Sequence, residues 1–253
     1  LESLENNFIQ KYWKEIKSGK VKVSKKVNKQ MELLINLLNE IESGESKWDF
    51  DIKKGNRVIS FIETFCIHVD GKLTGKKLEL FQKAILHAFF GIVHKETGLR
   101  RYRELHLFVG RKNSKTLFAA SIMIYLMFKD GELGSKCYSA ATKREQAAKS
   151  WNDAIQIIRK GPLRNFFDIT VNGIYVKPYR DSLWQPLSKE SKKLDGLNIH
   201  AVLIDELHAI TDTNMLNVLK DGQKSRTQPV FLITTTMGID RLSTFDEIYE
   251  YDE

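Results

Sequence analysis

The chain has 253 residues, with 40 Lys+Arg against 32 Asp+Glu, a formal charge of +8 and an isoelectric point near 9.3. That length can bury one sizeable core without disulfides or a structural metal, and Cys66 and Cys137 are too few and too far apart for a disulfide framework or a zinc site, so a reducing compartment is expected. The charge points to a polyanionic partner, whereas the longest apolar run, Leu117 to Phe128, contains Ser121 and Tyr125 and falls short of the ~20 residues that span a bilayer, so no membrane role is expected.

At the N-terminus Glu2, Glu5 and Asn6-Asn7 interrupt any apolar run, and no signal peptide is expected. Residues 4–18 and 24–43 have helical spacing, the second through Met31, Leu34, Ile35, Leu37, Leu38 and Ile41. Gly44-Glu45-Ser46 breaks the pattern, helical character returns near Ile59–Ile67, and Asp70-Gly71 predicts a turn. These signals predict a helical N-terminal subdomain over 1–70 and a larger domain over 71–253. Residues 78–93 read as a further helix rich in Phe, Leu and Ile. Strand-like runs follow at 104–109, 136–140, 166–171, 173–178, 200–204 and 230–235, separated by helix-like segments such as 142–159. This alternation predicts an α/β fold with a mostly parallel sheet flanked by helices. Basic residues gather at Lys17, Lys20, Lys22, Lys25, Lys26 and Lys29, and again at Arg100-Arg101-Tyr102-Arg103, as a nucleic-acid surface or as ordinary solvated faces.

Two segments carry chemistry. The apolar run Leu105-His-Leu-Phe-Val109 stops at Gly110-Arg111-Lys112-Asn113-Ser114-Lys115-Thr116 and leads into a helix-forming stretch. A helix N-terminus exposes unpaired N–H groups and partial positive charge, so a tight loop entering a helix suits a triphosphate, with Lys115 as a point charge and Thr116 as a magnesium ligand. Against the pattern G-x-x-x-x-G-K-[ST], Val109 and Ser114 occupy the two glycine positions and Gly110 is displaced by one. Further along, Ala201-Val-Leu-Ile204 has no polar alternation, as a strand covered on both faces requires, and ends in Asp205-Glu206. Asp205 is placed to hold Mg2+ and Glu206 to orient or deprotonate a water, so the two segments together predict an ATPase.

The order and spacing of several motifs resemble the large terminase subunit of tailed bacteriophages. The resemblance rests on Leu80-Phe81-Gln82, on Arg111-Lys112-Asn113 before Lys115-Thr116, on Asp195-Gly196-Leu197-Asn198 running into Val202-Leu203-Ile204-Asp205-Glu206-Leu207-His208, and on Leu232-Ile233-Thr234-Thr235-Thr236. It implies a P-loop NTPase of the additional-strand catalytic-glutamate type, the motor domain alone without the nuclease domain that follows it in that family. It also implies ATP and Mg2+ as cofactors, translocation of double-stranded DNA into a procapsid, a homo-oligomeric ring on the portal protein, a small terminase subunit as partner, and the cytoplasm of an infected host cell.

Residue by residue, the resemblance gives Gln82, with Phe81 beside it, the adenine edge, although a Gln there could equally cap the helix. It assigns Gly110 to Thr116 to the phosphates, Thr116 and Asp205 to the metal, Glu206 and Lys115 to catalysis, and Thr234, Thr235 and Thr236 to coupling hydrolysis with movement. Arg144, which follows a strand and opens a helix, matches an arginine that reaches a neighbouring subunit's ATP, and a salt bridge to Glu145 or a helical neighbour is the alternative. The string Asp205-Glu206-Leu207-His208 also reads as the D-E-x-H of a helicase, the competing class.

Overall fold

The computed structural model describes residues 7–66, 77–110, 113–188, 196–207 and 213–235. The chain forms two compact units, Leu1–Glu63 with Lys76–Tyr102, and Thr64–Gly75 with Arg103–Glu253.

In the first unit, α1 (Phe8–Lys17) begins at Asn7, whose side chain accepts from the N–H groups of Ile9 and Gln10. Helix α2 (Lys25–Glu42) is capped in the same way by Ser24, which accepts from Val27. The apolar stripe anticipated from spacing is the buried one, since Met31, Leu34, Leu37 and Leu38 join Ile9, Ala88 and Ile92 in a core. Strand β1 (Trp48–Phe50), helix α3 (Ile52–Phe65), helix α4 (Leu80–Gly91) and strand β2 (Ile92–His94) follow, and β1 pairs antiparallel with β2, Trp48 opposite His94. This pairing and the packing of α4 on α1 explain why residues 76–102 belong with the N-terminal helices, whereas the sequence boundary near residue 70 sets them apart. The turn expected at Asp70-Gly71 lies outside the described residues.

The second unit is built on a sheet of seven strands. Its elements are β3 (Glu104–Phe108), α5 (Lys115–Phe128), β4 (Lys136–Ala141), α6 (Arg144–Lys160), β5 (Phe167–Ile169), β6 (Ile174–Val176), β7 (Leu183–Ser188), β8 (Ala201–Asp205), α7 (Thr213–Asp221) and β9 (Val230–Thr235). Across the sheet the order is β3-β9-β8-β4-β7-β6-β5. The first five strands run parallel, and β6 and β5 turn back as an antiparallel edge. Every residue of β8 and β9 is buried, as an unalternating apolar run requires. Val202, Ile204, Phe231 and Ile233 pack with Met215, Leu216 and Leu219 of α7, and burying each such side chain contributes roughly 1.5–3 kcal/mol.

Neither α7 nor β7 is among the elements expected from the sequence. Strand β7 alternates half-buried and buried residues but contains Pro186, a residue that argues against a central strand. Its pairing with β6 covers only Leu183 and Trp184, so Pro186 has β4 on one side and, among the described residues, no strand on the other. The edge strands are shorter than the runs 166–171 and 173–178, because Phe166 closes a short 3-10 turn and Thr170 turns the chain, its Oγ1 accepting from Asn172 and Gly173.

His87 ties the first unit together. Its ring is fully buried between Phe8 and Phe50, with Nδ1 accepting from the Phe8 N–H at 3.3 Å, which leaves Nε2–H to donate to Asn56 Oδ1 at 2.9 Å. Gly55 permits this approach, since a Cβ there would stand 2.7 Å from the His87 ring. Burial first, and then the charges of Lys11 and Lys83, pull the His87 pKa down to about 4. A neutral histidine is thus part of the fold, while the unfolded chain takes up the proton near pH 6.5. Stability of this unit is expected to be level above that pH and to fall by about 1.4 kcal/mol per pH unit between 6.5 and 4. Hydrogen exchange of the α1 amides checks this: protection factors, corrected for the slower intrinsic exchange at lower pH, should fall on acidification in the wild type, and an equal fall in His87→Gln would rule the histidine out as its cause.

Candidate active site

Because β3, β9, β8 and β4 are parallel, their carboxyl ends form one edge, where ligands of open α/β sheets bind. The register aligns the groups there: Phe108 lies opposite Thr235, and Asp205 opposite Thr234. Backbone bonds continue beyond the ladders, with the Val109 N–H donating to Thr235 O at 3.1 Å and the Glu206 N–H to Thr234 O at 2.8 Å.

Lys115, the first residue of α5, brings the two halves of the site together. Its Nζ is 2.5 Å from Glu206 Oε1 and 3.6 Å from Asp205 Oδ1. Asp205 is almost wholly buried, and the same Oδ1 accepts from the Thr234 hydroxyl at 2.6 Å. The result is a compact group of one cation, two carboxylates and one hydroxyl. Thr116 follows Lys115 in the first turn and is half-buried, while Thr235 is fully buried at the end of β9.

The entrance to α5 differs in its backbone from the starts of α1 and α2. Unlike Asn7 and Ser24, its N-cap residue Ser114 makes no side-chain cap bond. Ser114 takes the left-handed conformation, φ 53°. That is why glycine is usual at this place in the pattern, since an L-residue there costs roughly 1–2 kcal/mol. Gly110, by contrast, has ordinary backbone, and its carbonyl accepts from Asn113 Nδ2 at 3.1 Å. Glu206 is also left-handed, φ 63°, so two of the three non-glycine residues with positive φ among the described residues stand at this edge. Strain concentrated at one edge is a mark of a working site.

Arg144 is exposed in the first turn of α6, just past the end of β4, and among the described residues it forms neither an ion pair nor a hydrogen bond. A cation in a first helical turn opposes the helix dipole, and Glu145 beside it in the same turn offsets that cost without pairing with the arginine. Phe81 and Gln82 stand in the first unit, on α4. Gln82 completes a capping box there, its Oε1 accepting from the Glu79 N–H at 2.9 Å. Arg111, Lys112, Asp195, His208 and Thr236 lie outside the described residues. The direct contact of Lys115 with Glu206 goes beyond what the sequence indicates, because no local signal links residues so far apart in the chain. Thr234, expected to couple hydrolysis with movement, is also the hydrogen-bond partner of Asp205.

The profile of a family described as "Terminase large subunit, ATPase domain" matches residues 80–253. The large terminase subunit of Enterobacteria phage HK97 is 28% identical over 193 residues, 73% of this chain, which spans only 37% of that protein's length. The crystal structure of the HK97 bacteriophage large terminase superposes with a TM-score of 0.65 at 24% identity, over 79% of this chain and 42% of that one. The ATPase domain of the large terminase of Thermus phage P74-26 gives 0.48 at 17% identity, over 66% of this chain and 68% of that one. The family match favours the terminase reading over the helicase-like one.

The strain at Ser114 has a measurable consequence. Ser114→Gly relieves the left-handed backbone but loosens the unfolded chain, so its stability should lie within about 1 kcal/mol of wild type, whereas the β-branched Ser114→Val should lose about 1–2 kcal/mol. Urea denaturation measures both, and a Val variant as stable as the Gly variant would show that the left-handed geometry does not hold in solution.

Proposed function

We propose, for a chain that belongs to the family of terminase large subunit ATPase domains, that it hydrolyses ATP with Mg2+ to drive double-stranded viral DNA into a procapsid. The single observation that carries the chemistry is the meeting of Lys115 with Glu206 and Asp205 at the carboxyl edge of the sheet. The partners that go with this reading are the portal protein, a small terminase subunit and further copies of the chain in a ring, in the cytoplasm of an infected bacterium.

The donor set suits the nucleotide and its ion. Asp205 and Thr116 offer only oxygen, the choice of a hard cation, and among the described residues no group of three or more His, Cys, Asp or Glu forms a cage of its own. That fits an ion held by one carboxylate, a hydroxyl and the substrate's phosphates, where it would supply positive charge against the transferring phosphoryl group. Within the chain, the first turn of α5 and the residues Gly110 to Thr116 are proposed to hold the phosphates, with Lys115 as their point charge. In the structure the same ammonium occupies the Glu206 carboxylate. Drawing Lys115 onto phosphate oxygens releases Glu206 to take a proton from the attacking water, so substrate binding and activation of the base are one event. Thr234 keeps Asp205 oriented, and with Thr235 and Thr236 it passes the change to the adjoining strand.

Lys115→Ala is therefore expected to weaken ATP binding and turnover together, whereas Glu206→Gln keeps the shape, binds ATP and fails to turn it over. Equal turnover in wild type and Glu206→Gln would sink the catalytic assignment.

Arg144 is proposed to act on a neighbouring subunit's ATP, where an added arginine accelerates phosphoryl transfer by ~10³–10⁵. Arg144→Ala should then lose turnover at nearly unchanged ATP affinity. Mixed with Glu206→Gln protein under assembly conditions it should regain part of the activity, and verified mixed assemblies that stay inactive would place Arg144 in its own subunit or in a structural role.

A further inference from the structure

The positive charge of the chain is unevenly placed. The first unit, Leu1–Glu63 with Lys76–Tyr102, contains 18 Lys+Arg against 12 Asp+Glu, which is +6 of the total +8. The polyanion attraction anticipated from composition therefore resides mainly outside the unit that contains Lys115 and Glu206.

Within that unit, one face of the β1–β2 pair gathers cations on aromatic rings. Trp48 and His94 are cross-strand partners, their rings edge-to-face at 5.5 Å. The next stretch of chain lies along β2 on its other side, with Arg100 bridged to Val93 and the Arg101 N–H donating to Ile92 O at 2.9 Å. From there the Arg101 guanidinium lies over the Trp48 ring at 4.9 Å and near the Tyr102 ring at 5.6 Å. Lys47 Nζ approaches the same indole at 5.4 Å, and Lys95 is fixed beside it by its N–H to Lys47 O at 3.0 Å. Lys47, Lys95 and Arg101 all reach solvent, and among the described residues none of them forms an ion pair, although Glu45, Asp49 and Glu96 are close in sequence. The neighbouring Arg100 has a different place, buried over the Phe90 ring.

These features are costly for a plain solvated face. Three like charges are brought together without an ion pair among the described residues, and a long arginine side chain is ordered on two rings. Stacking on an indole contributes only about 0.5–1 kcal/mol at an exposed site, but it holds the planar fork in place, so little entropy remains to be lost when an oxyanion accepts from it. A fork and two ammonium groups on one small surface match successive phosphates along a nucleic-acid backbone.

We propose that Lys47, Lys95 and Arg101, mounted on Trp48 and Tyr102, form a contact surface for the phosphate backbone of duplex DNA. The inference rests on the reading of the chain as a DNA-translocating motor and gives that reading a surface in the first unit. Contacts of this kind position the duplex without selecting sequence, as a motor that must pass any sequence requires.

The test is equilibrium binding of the whole chain to two unrelated duplexes over a salt series, followed by fluorescence anisotropy. Wild type should bind both alike. The Lys47→Ala/Lys95→Ala/Arg101→Ala variant should lower the slope of log affinity against log salt by ~0.9 for each phosphate it no longer neutralises, and reduce affinity near 0.1 M salt at least roughly tenfold, with DNA-independent ATPase activity unchanged. Lys47→Ala/Lys95→Ala, which leaves the stacked arginine in place, should give an intermediate slope and guards against misfolding of the triple variant. Lys20→Ala/Lys22→Ala/Lys29→Ala removes the same charge from the same unit and serves as the control. A triple variant that binds like wild type, or a control that weakens as much, overturns the surface while leaving the motor reading intact. A wild type that binds neither duplex, yet hydrolyses ATP through Glu206, overturns the motor reading and this surface with it.

Discussion

An ammonium group between two carboxylates has to be assembled from parts of the chain that have no reason to meet except through the sheet. Lys115 opens α5, Asp205 closes β8 and Glu206 follows it. What brings them to contact is the parallel register of β3, β9 and β8, which ends three strands at one edge and starts a helix just beyond the first. The register in turn depends on β8 and β9 being buried on both faces, because a slip would set Asp205 against the wrong residue of β9 and strand its carboxylate without the Thr234 hydroxyl. Core packing and site chemistry are therefore two aspects of one constraint.

The two units divide the physical tasks. The second contains the strained backbone, at Ser114 and Glu206, and the buried carboxylate. In the first, capped helices pack around a neutral histidine, and most of the net charge is carried there on lysines and arginines. Strain tolerated at an edge of a seven-stranded sheet is supported by the large core beneath it, whereas long-range attraction needs only surface.

What is legible in the sequence follows from how local each signal is. The runs at 200–204 and 230–235 have an apolar content that only a doubly covered strand explains, and they are strands at almost those bounds. The stripe through Met31, Leu34 and Leu38 faces the core as spacing requires. By contrast β7 is concealed by Pro186, whose tolerance depends on how far β6 extends, a fact of tertiary pairing. The edge strands are shorter than their runs suggest because β-propensity does not register where a 3-10 turn ends. At the site, residue types at the strand ends are readable, but the contact of Lys115 with Glu206 and the left-handed backbone of Glu206 are not, since both arise from distant segments closing on one another. In the Arg100 to Arg103 run the letters alone do not separate the buried Arg100 from the stacked Arg101.

Strand β9 lies between β3 and β8, so the loop-bearing strand and the acidic strand share no ladder. Their extensions are instead both fastened to two consecutive peptide units, Val109 to Thr235 and Glu206 to Thr234. The inserted strand is thus the common rail of two sliders. Any travel of the loop relative to the acidic pair must stretch one of those two bonds or drag the rail itself. A strand whose ladders are intact on both sides is stiff along its length, so a small displacement at one end is delivered undamped to whatever the other end touches.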